Sequence, residues 1–407
     1  MVGRQEQTPT ASRIDDPAPE DRVPFRPTRR RKGMRVTEGG LVFEVPGEQT
    51  AGFDEAVFYN PRQELNRDLT IATLRAYRER EERAETYLDA MTASGVRGVR
   101  AAADGWDVTC CDVAPTAAEL ARENLERNDL DATVVRQNVN ALLHESRFDI
   151  VDLDPFGTPM PFADATFANC RHLACVTATD TAPLCGAHFA SGVRSYGALP
   201  RNTEYHPEMG VRILLSALAR SAARFDVGIT PLFTHATSHY VRTYLELDHG
   251  ATAADAALDE LGTLSHCEDC LHREGHPGII ANTLETCPNC GGNRVLAAGP
   301  IWLGKTRDRE FLDQVSRAYS AEPVFETTRE GERLLETLQA ELDVPTHYDQ
   351  HVLCKRWGVS ANRMDAFLDD LRAAGFEATR THYGGTTFET AASVAEIRAA
   401  TEDRLGP

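Results

Sequence analysis

From Thr86 onward, short apolar runs alternate with stretches of helical periodicity, and this alternation restricts the possible folds more than any other feature of the chain. A strand that returns through a crossover helix pairs in parallel with a neighbour, so the expected core is a parallel sheet covered by helices. Residues 87–90 read as the first strand, running into the small-residue turn Thr92-Ala93-Ser94-Gly95 and a helix that begins near residues 99–104. Residues 108–112 form the second expected strand and 116–128 an amphipathic helix. Residues 133–136, 148–154 and 172–179 give the third, fourth and fifth strands, 211–225 a helix, and 227–237 with 240–247 a closing strand pair. The fold class is therefore α/β, a doubly wound Rossmann-like sheet ending in a hairpin. Before it, residues 36–46 alternate as a short strand pair and 61–80 have helical periodicity.

At 407 residues the chain exceeds one core of ordinary size, so further domains are expected. The divisions fall at 1–33, a disordered Pro-, Arg- and Asp-rich extension; 34–250, the catalytic domain; 251–300, a cysteine-knuckle segment; and 301–407, a C-terminal α+β domain. The basic run Arg29-Arg30-Arg31-Lys32 is either a nucleic-acid contact or a solvated tail. No apolar stretch is long enough to span a membrane and no leader opens the chain, which predicts a cytoplasmic protein, expected as a monomer. Outside the two knuckles the cysteines sit mostly in apolar runs and read as reduced buried thiols.

A parallel sheet of this kind binds ligands beyond the carboxyl ends of its first strands. Asp89 ends the first strand before the small-residue turn, and Asp112 ends the second, where a carboxylate can accept from both hydroxyls of a ribose. Asn138 and Val139 follow the third strand, able to meet an adenine through amide and apolar area respectively. Helix capping or a solvated strand end is the structural alternative for the two aspartates. The turn lacks the full G-x-G-x-x-G pattern, which favours a methyltransferase over a nicotinamide enzyme.

The fourth strand ends in Asp152-Leu153-Asp154-Pro155-Phe156-Gly157. An exocyclic amine on a base is a poor nucleophile because its lone pair is delocalised into the ring. The Asp154 carboxylate and a carbonyl of the proline turn can each accept one N–H, drawing the nitrogen toward tetrahedral geometry. Pro155 fixes the turn and Phe156 offers a face for stacking. A strand-terminating turn with a packed phenylalanine is the structural alternative.

Four segments, residues 60–68, 88–100, 152–161 (DLDPFGTPMP) and 176–186 (VTATDTAPLCG), together resemble the tRNA (guanine-26-N2)-dimethyltransferase family of archaea and eukaryotes, over about residues 36–390. The resemblance implies S-adenosylmethionine bound by Arg67, Arg97 and Asp112, with Asp154 as the catalytic carboxylate. Asn138 and Val139 stand where family members often carry aspartate and alanine. It further implies tRNA as partner and one, then two, methyl transfers to N2 of guanosine 26. Within the second pair of segments, Asp180 is either a base contact or a loop cap, and Cys185 reads as a structural thiol because an amine target needs no covalent intermediate.

Cys267-x-x-Cys270 and Cys287-x-x-Cys290 are two knuckles whose four thiolates suit a structural zinc site, with His266, His272 and His276 expected at the surface. Residues 348–388 then order as helix, helix and strand pair, resembling a winged helix, with Asn362, Arg363, Arg372 and Arg380 available to phosphates. The net charge of −19 opposes a polyanionic partner. Against it, three lysines among 40 arginines and the acid excess suit a high-salt interior, where counterion release contributes little to RNA affinity. Two rival readings are a DNA amino-methyltransferase and a non-catalytic zinc-dependent RNA-binding protein. The first usually carries two prolines where this chain has Pro155-Phe156, and the second would be favoured by loss of Asp154, which is present.

Overall fold

The computed structural model describes residues 33–47, 57–237, 239–280 and 283–402. The Arg29–Lys32 run and the remainder of the expected N-terminal extension lie outside the described residues, except Gly33. The expected strand pair is a hairpin of β1 (Gly33–Glu38) and β2 (Leu41–Pro46), antiparallel. It turns at Gly39 and Gly40, both at positive φ, where a side chain would be strained. Helix α1 (Glu64–Arg80) follows.

The alternating region gives β3 (Thr86–Asp89), α2 (Val96–Ala103), β4 (Asp107–Asp112), α3 (Pro115–Arg127), β5 (Thr133–Arg136) and α4 (Val139–Glu145). It continues through β6 (Phe148–Leu153), α5 (Met160–Asn169), β7 (Cys170–Ala178), α6 (Thr181–Leu184), α7 (Phe189–Tyr196) and α8 (His206–Ala223). The hairpin β8 (Val227–Thr237) and β9 (Tyr240–His249) closes a seven-stranded sheet of order β5-β4-β3-β6-β7-β9-β8. The first five strands are mutually parallel, and β9 runs antiparallel to both β7 and β8. The order reverses between β3 and β6, which puts the ligand crevice at their carboxyl ends.

Strand periodicity divides the core between the two faces. Leu88, Cys111 and Val151 point into one apolar cluster with α8, while their neighbours Tyr87, Cys110 and Ile150 point into another with α1. Burial on both faces explains why these strands read as near-continuous apolar runs. The second cluster also contains Phe311, Leu312, Val315, Leu335 and Leu338. These belong to α10 (Arg309–Ser320) and α11 (Thr328–Ala340), which follow α9 (Ala251–Asp259) and the strands β10 (Leu261–Cys267), β11 (Arg273–Pro277) and β12 (Val295–Trp302). Their residues fall within the C-terminal division expected from sequence, yet both helices pack against α1.

The three strands β10–β12 form a separate antiparallel sheet that carries the cysteine knuckles and packs on α8 through Leu264, Ile301 and Trp302. The C-terminal unit comprises β13 (Tyr348–Asp349), α12 (Gln350–Trp357), α13 (Met364–Ala373), β14 (Ala378–Arg380), β15 (Thr387–Thr390) and α14 (Val394–Thr401), around Leu353, Phe367, Leu371, Phe388 and Ile397. Its helix, helix and strand-pair order is that of a winged helix. Polar contacts join it to α8 and to the end of α11. Glu208 on α8 accepts the His347 main-chain N–H at 2.6 Å, and Glu341 accepts that of His382 at 2.6 Å.

Candidate active site

At the carboxyl ends of β3, β4 and β5 the chain leaves a cavity of about 650 Å³. It is lined by Arg67, Arg97, Asp112, Asn138, Val139, Asp154, Pro155 and Phe156, so the structure brings together every catalytic and cofactor position expected from sequence. The turn after β3 is closed by glycine for two reasons. Gly95 has φ +80°, and a Cβ there would sit 2.8 Å from the Cα of Ala121 on α3.

The polar groups of this turn are mutually tied. Asp89 Oδ2 accepts from the Thr92 hydroxyl at 2.7 Å and the Gly98 N–H at 2.9 Å. Burial pushes its carboxyl up to about 7, against the pull of the Thr92 hydroxyl and Arg97. Asp112 accepts the N–H groups of Ala93 at 3.0 Å and Ala114 at 2.9 Å, one on each oxygen. Each carboxylate oxygen accepts more than one bond, so a ribose hydroxyl can still be received. Asn138 caps α4 by accepting from Asn140 N–H at 2.9 Å, which aims its amide from a fixed position, and Val139 beside it is buried. A small cradle, an acid at the ribose position and apolar area next to it fit S-adenosylmethionine.

Asp154 sits at the end of an ion-pair chain that runs through the sheet. Arg97 donates to Asp154 Oδ2 at 2.5 Å and to the Thr70 hydroxyl at 2.9 Å, and lies 3.6 Å from Asp152. Asp152 in turn is held by both terminal nitrogens of Arg242, at 2.8 and 2.7 Å, and by the Tyr87 hydroxyl at 2.8 Å. Arg242 and Asp152 are both wholly buried. Burial acts to raise the Asp152 carboxyl, but the Arg242 and Arg97 cations outweigh it and hold the group below its ordinary value. The Asp154 carboxylate is therefore set in position from behind, and Arg97 makes this ion pair from the cavity wall.

The Asp-Pro-Phe-Gly turn is fastened to the loop after β7. The Gly157 N–H donates to the Thr179 hydroxyl at 2.7 Å, and the Thr179 N–H donates to the Gly157 carbonyl at 3.0 Å. Gly157 has φ +81° with open space where a Cβ would stand, so conformation alone demands glycine. Phe156 is 72% exposed at the cavity lip, an unusual position for a large apolar ring. Phe58 meets it edge to face at 4.6 Å between centroids. In the sequence Phe58 carries no signal beyond its place in the Phe58-Tyr59-Asn60-Pro61 entry to α1. Arg242, Thr179 and Glu38 likewise show no local sign of their part in the site. Glu38 receives Arg67 on both oxygens at 2.6 Å and Arg100 at 2.7 Å, so the β1–β2 hairpin neutralises Arg67 where it borders the cavity.

Asp180 stands at the N-cap of α6, but its side chain makes no capping bond: the carboxylate accepts a short hydrogen bond from the Tyr196 hydroxyl, and burial raises its pKa. Cys185 is buried and its thiol is pushed up to about 12 by burial. The other cysteines outside the knuckles are buried as expected. In the knuckles, the four Sγ atoms of Cys267, Cys270, Cys287 and Cys290 lie within 4.8 Å of one another. Of the three histidines expected at the surface, His266 is buried. Its ring stands 5.5 Å from that of Tyr205 and 3.8 Å from Glu204, because it continues the inward face of β10. In the C-terminal unit, Arg372 pairs with Asp369 at 3.0 Å and Arg380 with Asp365 at 2.7 Å, so these two candidate phosphate contacts already have acidic partners. Among the described residues no helix is long and apolar enough to cross a membrane.

The sheet order, the acids ending β3 and β4 and the Asp-Pro-Phe-Gly turn at the mouth define the class, an S-adenosylmethionine-dependent methyltransferase of the Rossmann-like kind. Comparison with known proteins narrows this. The family model described as N2,N2-dimethylguanosine tRNA methyltransferase matches residues 39–402, and the chain belongs to that family. The tRNA (guanine(26)-N(2))-dimethyltransferase of Haloarcula marismortui is 59% identical over 370 residues, covering 91% of this chain and 100% of the relative. That of Methanosarcina mazei is 46% identical over 377 residues, covering 89% and 97%. The structure of Trm1 from Pyrococcus horikoshii in complex with S-adenosyl-L-methionine is similar with a TM-score of 0.80 at 31% identity, over 92% of this chain and 100% of that one.

Proposed function

We propose that this protein transfers methyl groups to N2 of guanosine 26 of tRNA, first one and then a second, with Asp154, Pro155 and Phe156 at the reacting amine. The observation that carries the reading is the placement of Asp154. It is fixed by Arg97 at 2.5 Å on one carboxylate oxygen, beside an exposed aromatic ring, at the mouth of a cavity that fits the methyl donor. S-adenosylmethionine supplies an electrophilic sulfonium methyl when bound, with Arg67, Arg97, Asp112, Asn138 and Val139 as the residues around it.

The chain's own part is positioning. Asp154 and a carbonyl of the proline turn accept the two N–H groups of the guanine amine, and the base stacks on Phe156, whose ring Phe58 meets edge to face. The nitrogen lone pair is thereby turned out of the ring plane, and the proton displaced by methylation leaves through the carboxylate to solvent. After one transfer N2 retains a proton, so a second is chemically open. Guanosine 26 must be turned out of the folded tRNA to enter. We further propose that the four knuckle thiolates hold structural zinc: a Zn–S length of about 2.3 Å places tetrahedral sulfurs roughly 3.8 Å apart, near the 3.6 Å of Cys267–Cys290 and the 3.5 Å of Cys270–Cys287. Four thiolates complete that sphere and leave no position for an activated water. The protein is proposed to act as a cytoplasmic monomer.

The test is to incubate the protein at high salt with unmodified tRNA bearing guanosine 26 and labelled S-adenosylmethionine, then digest and identify the nucleoside. N2-methyl- and N2,N2-dimethylguanosine are expected, absent with Asp154→Ala although that variant still binds the donor. Label in DNA or in another nucleoside overturns the substrate assignment.

A further inference from the structure

A second cleft of about 920 Å³ adjoins the catalytic cavity and shares His239 and Tyr240 with it. Three parts of the molecule form it. The segment from α6 to the start of α8 contributes Thr181, Asn202 and His206, and α11 contributes Glu330, Arg333 and Thr337. The loop from Thr381 to Gly385, between β14 and β15, brings the tip of the C-terminal strand pair to the same cleft. The walls are rich in hydroxyl groups, and Gly384 and Gly385 present bare main chain. With Gly385, nothing lies within 4 Å of where a Cβ would stand.

The cation in this cleft is unlike others near it. Arg67, Arg97, Arg372 and Arg380 are each paired with an acid. Arg333 is exposed on α11 and has no ion pair or side-chain hydrogen bond among the described residues, although Glu330 stands one turn away. In a chain of net charge −19, an exposed arginine that makes no ion pair among the described residues, beside the active-site mouth, is suited to an anion that arrives with the substrate. On the catalytic side, Arg62 lines the first cavity and is likewise exposed without an ion pair among the described residues.

A nucleotide turned into the catalytic cavity stays tethered by a phosphate on each side, and those phosphates must lie at the cavity's margin. We infer that the second cleft receives the sugar-phosphate strand flanking the methylated guanosine, with Arg333 on a flanking phosphate and the Thr381–Gly385 loop closing over the backbone. This rests on the reading of tRNA as substrate. Phosphate contacts of this kind fix register without reading sequence.

The experiment combines Arg333→Gln with tRNAs in which the phosphates next to nucleotide 26 are replaced one at a time by uncharged methylphosphonates, and measures tRNA Kd, its salt dependence and donor Kd. Arg333→Gln is expected to weaken tRNA binding about 5- to 10-fold and to lower the slope of log Kd against log salt by about one, leaving donor binding unchanged. One methylphosphonate should weaken the wild type equally and weaken the variant no further. Glu330→Gln should tighten tRNA binding. Additive losses at every flanking phosphate, or an unchanged Kd and salt slope in a variant that binds donor normally, overturn the inference while the wild type goes on methylating guanosine 26. A wild type that does not methylate that nucleoside overturns the substrate reading itself.

Discussion

Replacing Thr179 by valine separates holding the Asp-Pro-Phe-Gly turn from building the cavity. The two side chains have nearly the same shape, so packing is kept, but the Gly157 N–H loses its 2.7 Å acceptor. An amide left unpaired costs about 1–3 kcal/mol, toward the lower figure here because the turn is partly open to water. The reciprocal main-chain bond at 3.0 Å survives, so the turn loosens without detaching. If about 1–2 kcal/mol is withdrawn from the ordered turn alone, kcat should fall about 5- to 30-fold. Donor Kd should stay constant, because Asp89, Asp112 and Asn138 stand on other loops. Thr179→Ser, which keeps the acceptor, should restore most of the rate. The assay is single-turnover methylation of saturating tRNA, alongside calorimetric donor binding. A valine variant with wild-type kcat and a lowered Tm would show that the bond supports the fold and not the chemistry, and would refute the reasoning.

Gly157→Ala should fold with a stability loss of about 1 kcal/mol, the cost of a side chain at positive φ with no clash, yet slow methylation. Gly98→Ala, whose Cβ would stand 2.4 Å from Cys110 Sγ, should unfold at markedly lower denaturant. Arg242→Met leaves Asp152 buried without its main partner and should cost about 3–5 kcal/mol in denaturant unfolding. Adding Asp152→Asn should recover part of that, and no recovery would mean that charge is not the cause. Chelation or Cys290→Ser should release one equivalent of zinc and lower the Tm, while donor binding is retained. Asp149 is held down to about 2: burial acts to raise it and is outweighed by the Thr86 and Glu85 N–H groups, Arg171 and the Thr86 hydroxyl. A depressed acid contributes stability that is fully present above its unfolded value of about 3.9 and is lost as pH falls through the folded one. Asp149→Asn should therefore flatten the loss of stability between pH 4 and 2, read from urea midpoints.

What the sequence revealed follows from how local each signal is. Asp154 and the four knuckle cysteines were legible because a strand end followed by proline and a Cys-x-x-Cys spacing carry their geometry within a few residues. The closing hairpin was legible from periodicity and turn residues, whereas α2 begins at Val96, three residues before the expected start, because Gly95 at positive φ turns the chain straight into the helix. The insertion of β9 between β7 and β8 was not, since pairing order is set by packing across the whole sheet. Arg97 looked like a donor ligand, and only the folded chain shows it gripping Asp154. Arg372 and Arg380 looked available because the acids that neutralise them, Asp369 and Asp365, are recognisable as partners only once α13 and β14 are placed. Phe58 has no periodic context at all.

The packing of α10 and α11 on α1 bears on how the molecule can be made. Arg75 reaches Glu322 at 2.5 Å and Asp68 receives the Thr327 hydroxyl at 2.5 Å, contacts that span 247 and 259 residues of chain. The helix that carries Arg67 to the cofactor cavity is thus completed by segments translated long after it. Contacts of such separation are slow to close and leave early-made apolar surface uncovered meanwhile. The nascent chain must hold Leu69, Leu74 and Tyr77 without their final partners until residues beyond 309 emerge, so a ribosome-bound fragment ending before α10 should be protease-sensitive at α1 even though every strand of the sheet is already present.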